Sequence, residues 1–540
     1  MNKFFKTILR SRYLFAVLAG LVLSVSFPRL NVAGFAWIAP GLILFCGVGK
    51  TGKQKFWIGY VAGLAHFLVT LNWLLSIPFP AGAIAGWIAL SAYLALYPAT
   101  WVWLCWKIFS RIFPDNASKK FSDTTWKQRA IWSLSCAAIW VALEMTMARL
   151  FTGFPWTFLG ITQYKIIPLI QIASITGVYG VSFLLVWFAV SLCSAGFLLI
   201  QIPQRPRAWS AEIILPALAA ALVFSFGAAR ISEKEKPARQ VKVALVQPSI
   251  PQTLIFDPSQ DETRFKKIIQ LSENALAEKP DVLIWPEAST PPLDAGMFGA
   301  LTNFIARHHV WMILGADDAQ VRSAARGGLE TNFYNSSFLF SPDGNAAATY
   351  HKQRLVIFGE YVPFERWLPF MKWLTPIGGS FAEGETASPF QIDSPRAKIS
   401  VLICFEDVFP HYAREQVESD TDFLLNLTND GWFGERSAQW QQAANAFFRA
   451  VENGLPLVRC TNNGLTCWVD KFGRLRKYFG DSSGNIYREG FLIAEIPLVA
   501  EKREPTFYNQ HGDWFGWGCV GITGLLIALN SRSQFFKSKT

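Results

Sequence analysis

Eight stretches of this 540-residue chain are too apolar to be left in water, and their lengths decide most of what it can become. A helix that crosses a bilayer needs roughly 20 mostly apolar residues, because hydrocarbon offers backbone N–H and C=O groups no partner outside the helix. Residues 13–29, 31–49, 56–78, 85–106, 130–150, 175–201, 209–229 and 513–530 are the candidates. The first follows basic residues, as a signal peptide would. It lacks a small-residue cleavage site and another apolar stretch follows closely, so it is expected to be retained.

The net charge of +11 looks like a nucleic-acid signature until it is divided along the chain. Residues 231–512 hold 28 Lys and Arg against 34 Asp and Glu, while the remainder holds 22 against 5. The excess therefore sits among the apolar stretches, and nucleic acid loses its support as a partner. With a cytoplasmic N-terminus, the inner connections hold 18 basic residues; the short outer ones hold Arg29, Arg149 and Lys165. That bias predicts both termini inside and the long segment outside. In a bacterium with two membranes, this means a multi-pass inner-membrane protein with a periplasmic domain. The expected division is a membrane domain of seven helices over 1–230, a catalytic domain over 231–512, and a last helix with its tail over 513–540.

The long segment alternates short apolar runs with helical spacing. Runs at 241–247, 281–287, 310–316, 332–340, 346–351, 399–404, 422–427, 456–461, 464–469 and 491–496 predict strands; 259–279, 296–308 and 436–453 predict helices. A layered α/β domain of about 280 residues follows. Three chemically able residues stand at strand ends: Glu287, Lys352 and Cys404. A carboxylate can take a thiol's proton, and an ammonium nearby favours the thiolate and steadies the oxyanion formed when a carbonyl is attacked. Taken singly, each has a plainer reading: a helix cap, a surface charge, a core cysteine. No Cys pair has CxxC spacing and no His/Cys cluster has zinc-ligand spacing, so neither metal nor cofactor is expected.

Trp285-Pro286-Glu287, then His351-Lys352, then Ile403-Cys404-Phe405-Glu406-Asp407 resemble the motifs of the nitrilase (carbon-nitrogen hydrolase) superfamily. Phe358-Gly359-Glu360-Tyr361-Val362-Pro363 and Asn426-Leu427-Thr428-Asn429-Asp430-Gly431-Trp432-Phe433-Gly434 match further motifs. The resemblance covers about 241–500 and implies an α-β-β-α sandwich carrying a Glu-Lys-Cys triad. It makes Glu287 the general base, Lys352 the oxyanion stabiliser and Cys404 the nucleophile, with Glu360, Glu406 and Phe405 in support. Seven spans before such a domain and one after resemble the branch that acylates lipoproteins in Gram-negative bacteria. That likeness implies an acyl chain taken from a phospholipid, typically phosphatidylethanolamine, onto Cys404. The chain would then pass to the α-amino group of the diacylglyceryl-modified N-terminal cysteine of an apolipoprotein.

Substrate contacts are expected from Trp285, Trp367, Phe370 and Arg149. Residues 364–374 form an apolar arm expected to dip into the membrane interface. Glu144 and Arg149, at the outer end of the fifth stretch, read first as an ion pair fixing helix packing; headgroup recognition is the alternative for Arg149. His66 and Asn72 read as bonding neighbouring helices. Two other functions fit less of the sequence: a membrane-tethered amidase acting on a small amide, and a transporter with a non-catalytic outer domain.

Overall fold

A computed structural model describes residues 12–112, 121–201, 209–232, 239–323, 329–363, 375, 379–386, 389–498 and 503–537. The chain divides into two compact units, one of residues 1–72, 86–233 and 510–540 and one of residues 73–85 and 234–509.

In the first unit, not every apolar stretch becomes a long helix. Among the described residues, four helices are long and apolar enough to cross a membrane: Pro80–Ser110, Trp126–Met147, Val178–Gln201 and Ser210–Ile231. Arg12–Val25, Ile167–Thr176 and Trp514–Leu529 are apolar but shorter. The stretch 31–49 is broken, with a 3-10 turn at Ala33–Trp37 and a seven-residue helix at Ala39–Phe45. Pro40 opens that short helix, where its missing N–H costs no bond. The stretch 56–78 gives helix Gly52–Thr70, opened by a Thr51/Gln54 capping box. It ends before a 3-10 turn at Asn72–Ser76, and residues 73–85 belong to the second unit before the chain returns to the first.

The second unit is built on two six-stranded sheets. The first runs β12 (Gly490–Pro497), β1 (Gln240–Gln247), β2 (Val282–Ile284), β3 (Trp311–Ser323), β4 (Leu329–Phe340), β5 (Ala346–His351). The second runs β11 (Leu475–Tyr478), β10 (Cys467–Val469), β9 (Leu457–Thr461), β8 (Phe423–Thr428), β7 (Arg396–Ile403), β6 (Phe390–Asp393). β1, β2 and β3 pair in parallel, as do β7, β8 and β9, and β7 and β8 are covered on both faces. That is why they read as near-continuous apolar runs. Alternate residues from both sheets (Val243, Ile284, Ile313, Leu339, Val401, Ile403, Leu425, Val458) form one core between them. On the first sheet's outer face, Ala244, Leu283 and Met312 pack against helices Asp261–Leu276 and Ala295–His308. Helix Ala438–Asn453, buried at every position but Trp440, belongs to the second sheet's side of the unit. Four-residue β6 and β11 are strands that apolar patterning did not predict, and β3 extends seven residues past the predicted end. Pairing with β4 holds that extension, whose residues Asp317 to Arg322 are mostly polar.

Close backbone contact in the first unit is directly testable. A Cβ at Gly20 would stand 2.1 Å from the carbonyl oxygen of Ala62, so helices Arg12–Val25 and Gly52–Thr70 touch through a position only glycine fits. Gly20→Leu is expected to cost about 1–3 kcal/mol by overpacking, read as a lowered thermal midpoint in detergent. Gly34→Ala, where added atoms meet nothing within 4 Å, is expected to leave the midpoint unchanged.

Candidate active site

The apolar core between the sheets turns polar along three neighbouring strands. Side chains on one face recur every second residue. On β3 the inner row runs Ile313, Gly315, Asp317; on β4 it runs Leu339, Ser337, Asn335, paired with them in that order. On β5 it runs Ala348, Tyr350 and then Lys352, just past the strand end. Ile313, Leu339 and Tyr350 are core; the residues beyond them carry chemistry. Gly315 makes room, since a Cβ there would lie 2.8 Å from the Cα of Glu287.

Lys352 is the centre of the cluster. Its Nζ donates to Glu360 Oε1 at 2.8 Å and lies 3.6 Å from Glu287 Oε1. The side chain has no exposed surface. Burial alone would lower its pKa, but the charges of Glu360 and Glu287 overcome that and hold it well above the usual lysine range. Asn335 Nδ2 donates to Glu287 Oε1 and to Glu360 Oε1, each at 2.8 Å. Asn429 N–H donates to Glu287 Oε2 and Val356 N–H to Glu360 Oε2, both at 2.8 Å. Burial raises the pKa of Glu287, and the negative charge of Glu360 raises it further; Lys352, Asn335 and Asn429 pull it back. This carboxylate can accept a proton from a thiol more readily than an exposed one.

Cys404 sits where β7 ends and a 3-10 turn, Cys404–Val408, begins. Its φ of +51° is rare for a residue with a side chain and turns it out of the strand's alternation. The residue is half-buried, at the edge of the inter-sheet core. Burial pushes the thiol well above its ordinary pKa and Glu287 pushes it further, while Lys352 and a hydrogen bond with Thr428 draw it down. The thiol therefore rests protonated.

Buried polar groups hold that strained position. Glu406, fully buried, accepts from Ile403 N–H at 2.7 Å and Tyr350 Oη at 2.8 Å with one oxygen. With the other it accepts from Gln353 N–H at 2.8 Å and Arg354 N–H at 3.1 Å. One carboxylate thus ties the chain before the nucleophile to the chain after the lysine. The Cys404 carbonyl accepts from Gln442 Nε2 at 2.9 Å and Asn426 Nδ2 at 3.1 Å. Arg459, also fully buried, pairs with Asp407 at 2.5 Å and Asp430 at 3.2 Å, and donates to Asn426 Oδ1 at 2.9 Å.

Glu287, Lys352, Cys404, Glu360 and Glu406 thus fall in one electrostatic neighbourhood. Phe405 is half-buried beside the nucleophile, its ring edge-on to Phe409 at 5.0 Å. Trp285 departs from its expected role. It is fully buried in the outer core, with its indole N–H donating to Ser272 at 2.8 Å, so it braces a helix against the sheet. Arg149 is ion-paired, but with Asp513 and not with Glu144. Glu144 Oε1 instead accepts from Trp140 Nε1, Leu159 N–H and Ser182 Oγ. Trp367, Phe370 and the arm 364–374 lie outside the described residues. Sequence reading missed Asn335, Gln442 and Arg459 and gave Asn429 a place in a motif but no role; the run Tyr334-Asn335-Ser336-Ser337, polar within an apolar strand, was the available signal for the first.

Comparison with known proteins extends over nearly the whole chain. Residues 19–191 match the family described as apolipoprotein N-acyltransferase N-terminal domain, and residues 242–500 match carbon-nitrogen hydrolase. An apolipoprotein N-acyltransferase of Geobacter metallireducens is 35% identical over 545 residues, covering 98% of this chain and 97% of the relative. One of Vibrio vulnificus is 30% identical over 522 residues, covering 92% and 93%. Among solved structures, Nit3 of Saccharomyces cerevisiae, a member of branch 10 of the nitrilase superfamily, is 17% identical with a TM-score of 0.34 over 49% of this chain and 93% of its own.

The Glu406 clamp gives a prediction of its own. Glu406→Gln keeps the shape but turns one acceptor oxygen into a donor, leaving at least one buried donor unsatisfied. About 1–3 kcal/mol of stability should go with each. Denaturant unfolding and activity should fall together, since the same carboxylate holds the loops of Cys404 and Lys352.

Proposed function

This chain belongs to the apolipoprotein N-acyltransferase family, and from that premise we propose how it moves an acyl chain from lipid to protein. The observation that carries the reading is the single buried ammonium of Lys352, shared by two carboxylates and electrostatically coupled to Cys404. Glu287 takes the proton from the Cys404 thiol as sulfur attacks the ester carbonyl of a phospholipid. The oxyanion that forms is stabilised by the Lys352 ammonium and by backbone N–H groups just after Cys404. Collapse breaks the C–O bond, and the lysophospholipid alkoxide leaves with the proton from Glu287. The acyl chain remains as a thioester on Cys404. The α-amino group of the acceptor's N-terminal diacylglyceryl-cysteine then attacks it, giving an amide and a free thiol. Glu360 steadies Lys352 throughout.

Phosphatidylethanolamine is the donor we propose. A membrane domain over 1–230 and 513–540 and a periplasmic catalytic domain over 231–512 fit the distribution of basic residues. Eight crossings remain part of this reading, with the shorter helices and the broken second stretch contributing. Lipid at both ends of the reaction explains why a nitrilase-like domain travels with so much apolar chain.

Intact-mass spectrometry of the protein with phospholipid tests the reading. One acyl mass is expected on the peptide holding Cys404 and none in Cys404→Ala; full transferase activity in Cys404→Ala would sink it. Release of free fatty acid with no acyl adduct on an acceptor peptide would point to an amidase-like hydrolase instead. Acylation should slow by about 10²–10⁴ in Glu287→Gln and by about 10²–10³ in Lys352→Ala. Because the base must be ionised and its pKa is raised, the acylation rate should climb with pH through a value above the ordinary glutamate range of about 4.3 and then level off.

A further inference from the structure

One carboxylate beside the cluster is not used by the acylation step. Asp317 lies directly opposite Asn335 in the β3–β4 ladder. Opposed residues in an antiparallel pair leave the same face of the sheet, with Cβ atoms about 4.5–5.5 Å apart. That face belongs to the site, since Asn335 reaches both Glu287 and Glu360 and a side chain at Gly315, two residues back on β3, would run into the backbone of Glu287. Unlike those two glutamates, Asp317 is exposed. The charged groups on its side are Glu287 and Glu360, with Lys352 held between them. Asp318, pointing from the opposite face, is paired with His351. Among the described residues, no ion pair engages Asp317.

We propose that Asp317 is the acceptor-amine site: it binds the ammonium of the incoming N-terminal cysteine and takes the proton the amine must lose before attacking. The inference rests on the reading that Cys404 carries the acyl chain. An α-amino group has a pKa of about 7.7–8.0, so the acceptor arrives largely as R–NH3+. One proton passes to the Asp317 carboxylate and frees the nitrogen lone pair. A C–N bond forms to the thioester carbon, and the carbonyl electrons move to oxygen beside Lys352. On collapse the C–S bond breaks, and the second amine proton travels through Glu287 to the departing sulfur. The products are an amide, the Cys404 thiol and one proton, which Asp317 returns to solvent. Partial desolvation on the side facing the site, with the charges of Glu287 and Glu360, pushes its pKa up to about 6. It is thus ionised at neutral pH yet a better base than a free aspartate.

The test separates the two halves of the reaction in the full-length protein. Wild type and Asp317→Asn are loaded from phospholipid and checked by intact mass, then offered a diacylglyceryl-cysteinyl peptide or hydroxylamine, which is uncharged at the assay pH. Loading should proceed at the wild-type rate in Asp317→Asn. Transfer to the peptide should slow at least about tenfold, while release by hydroxylamine is unchanged. The acid limb of peptide transfer should move up toward the amine's own pKa, about 7.7–8.0, and Asp317→Glu should restore most of the rate. Unchanged peptide transfer, equal slowing with hydroxylamine, or failure of Asp317→Asn to load would each overturn the proposal. A wild-type protein that never acylates Cys404 would instead remove the function it builds on.

Discussion

Three charges share one dry corner of this molecule, and their balance governs the site. At an effective dielectric constant of 20, the attraction of Lys352 to a carboxylate 2.8–3.6 Å away is worth about 5–6 kcal/mol. Desolvating each ion costs several kcal/mol. One carboxylate would barely hold an ammonium there; two hold it firmly and leave the corner with a net negative charge before the thiol ionises. Burial raises the pKa of both the Cys404 thiol and Glu287, and the neighbouring carboxylate charges add to it. Asn335 makes the pairing of carboxylates tolerable. A primary amide offers two N–H bonds from one nitrogen without adding charge, so it draws both glutamates together and leaves the balance untouched.

The strained backbone at Cys404 belongs to the same design. Strict alternation past Ile403 would send the side chain of residue 404 to the face opposite Val401 and Ile403, away from the inter-sheet core. The left-handed turn at Cys404 breaks that alternation and brings the thiol to the edge of the inter-sheet core. Such a conformation persists only where surroundings over-determine it. Here they do so through Glu406, which holds the Ile403 N–H just before it and the Gln353 N–H beyond Lys352, and through Gln442 and Asn426 on its carbonyl. Buried polar residues around the turn thus set where the sulfur points.

The first unit shows what apolarity does and does not specify. Hydropathy names stretches that must leave water, but the shape within each depends on local backbone chemistry. Pro40 at a helix start and glycines at 34, 41, 47 and 49 split one stretch into two short helical pieces. Glycines at 20, 41 and 227 sit where a neighbouring backbone lies within 2.2 Å of a Cβ position, so close packing of chain on chain replaces side-chain burial.

The sequence alone was enough for the two-sheet domain and most of its strands, because buried parallel strands write themselves as unbroken apolar runs, and it put Glu287, Lys352 and Cys404 where such runs stop. It also carried the charge asymmetry that separates the two halves. What it could not decide was proximity across strands. Asp317 and Asn335 are 18 positions apart in the chain and become neighbours only through the β3–β4 register. Trp285 adjoins a catalytic motif in the chain yet points to the opposite face, since consecutive residues of a strand look in opposite directions. Arg149 finds its partner 364 residues away in Asp513 and not five away in Glu144. Pairing of charges is a property of the packed chain, and distance along the sequence does not measure it.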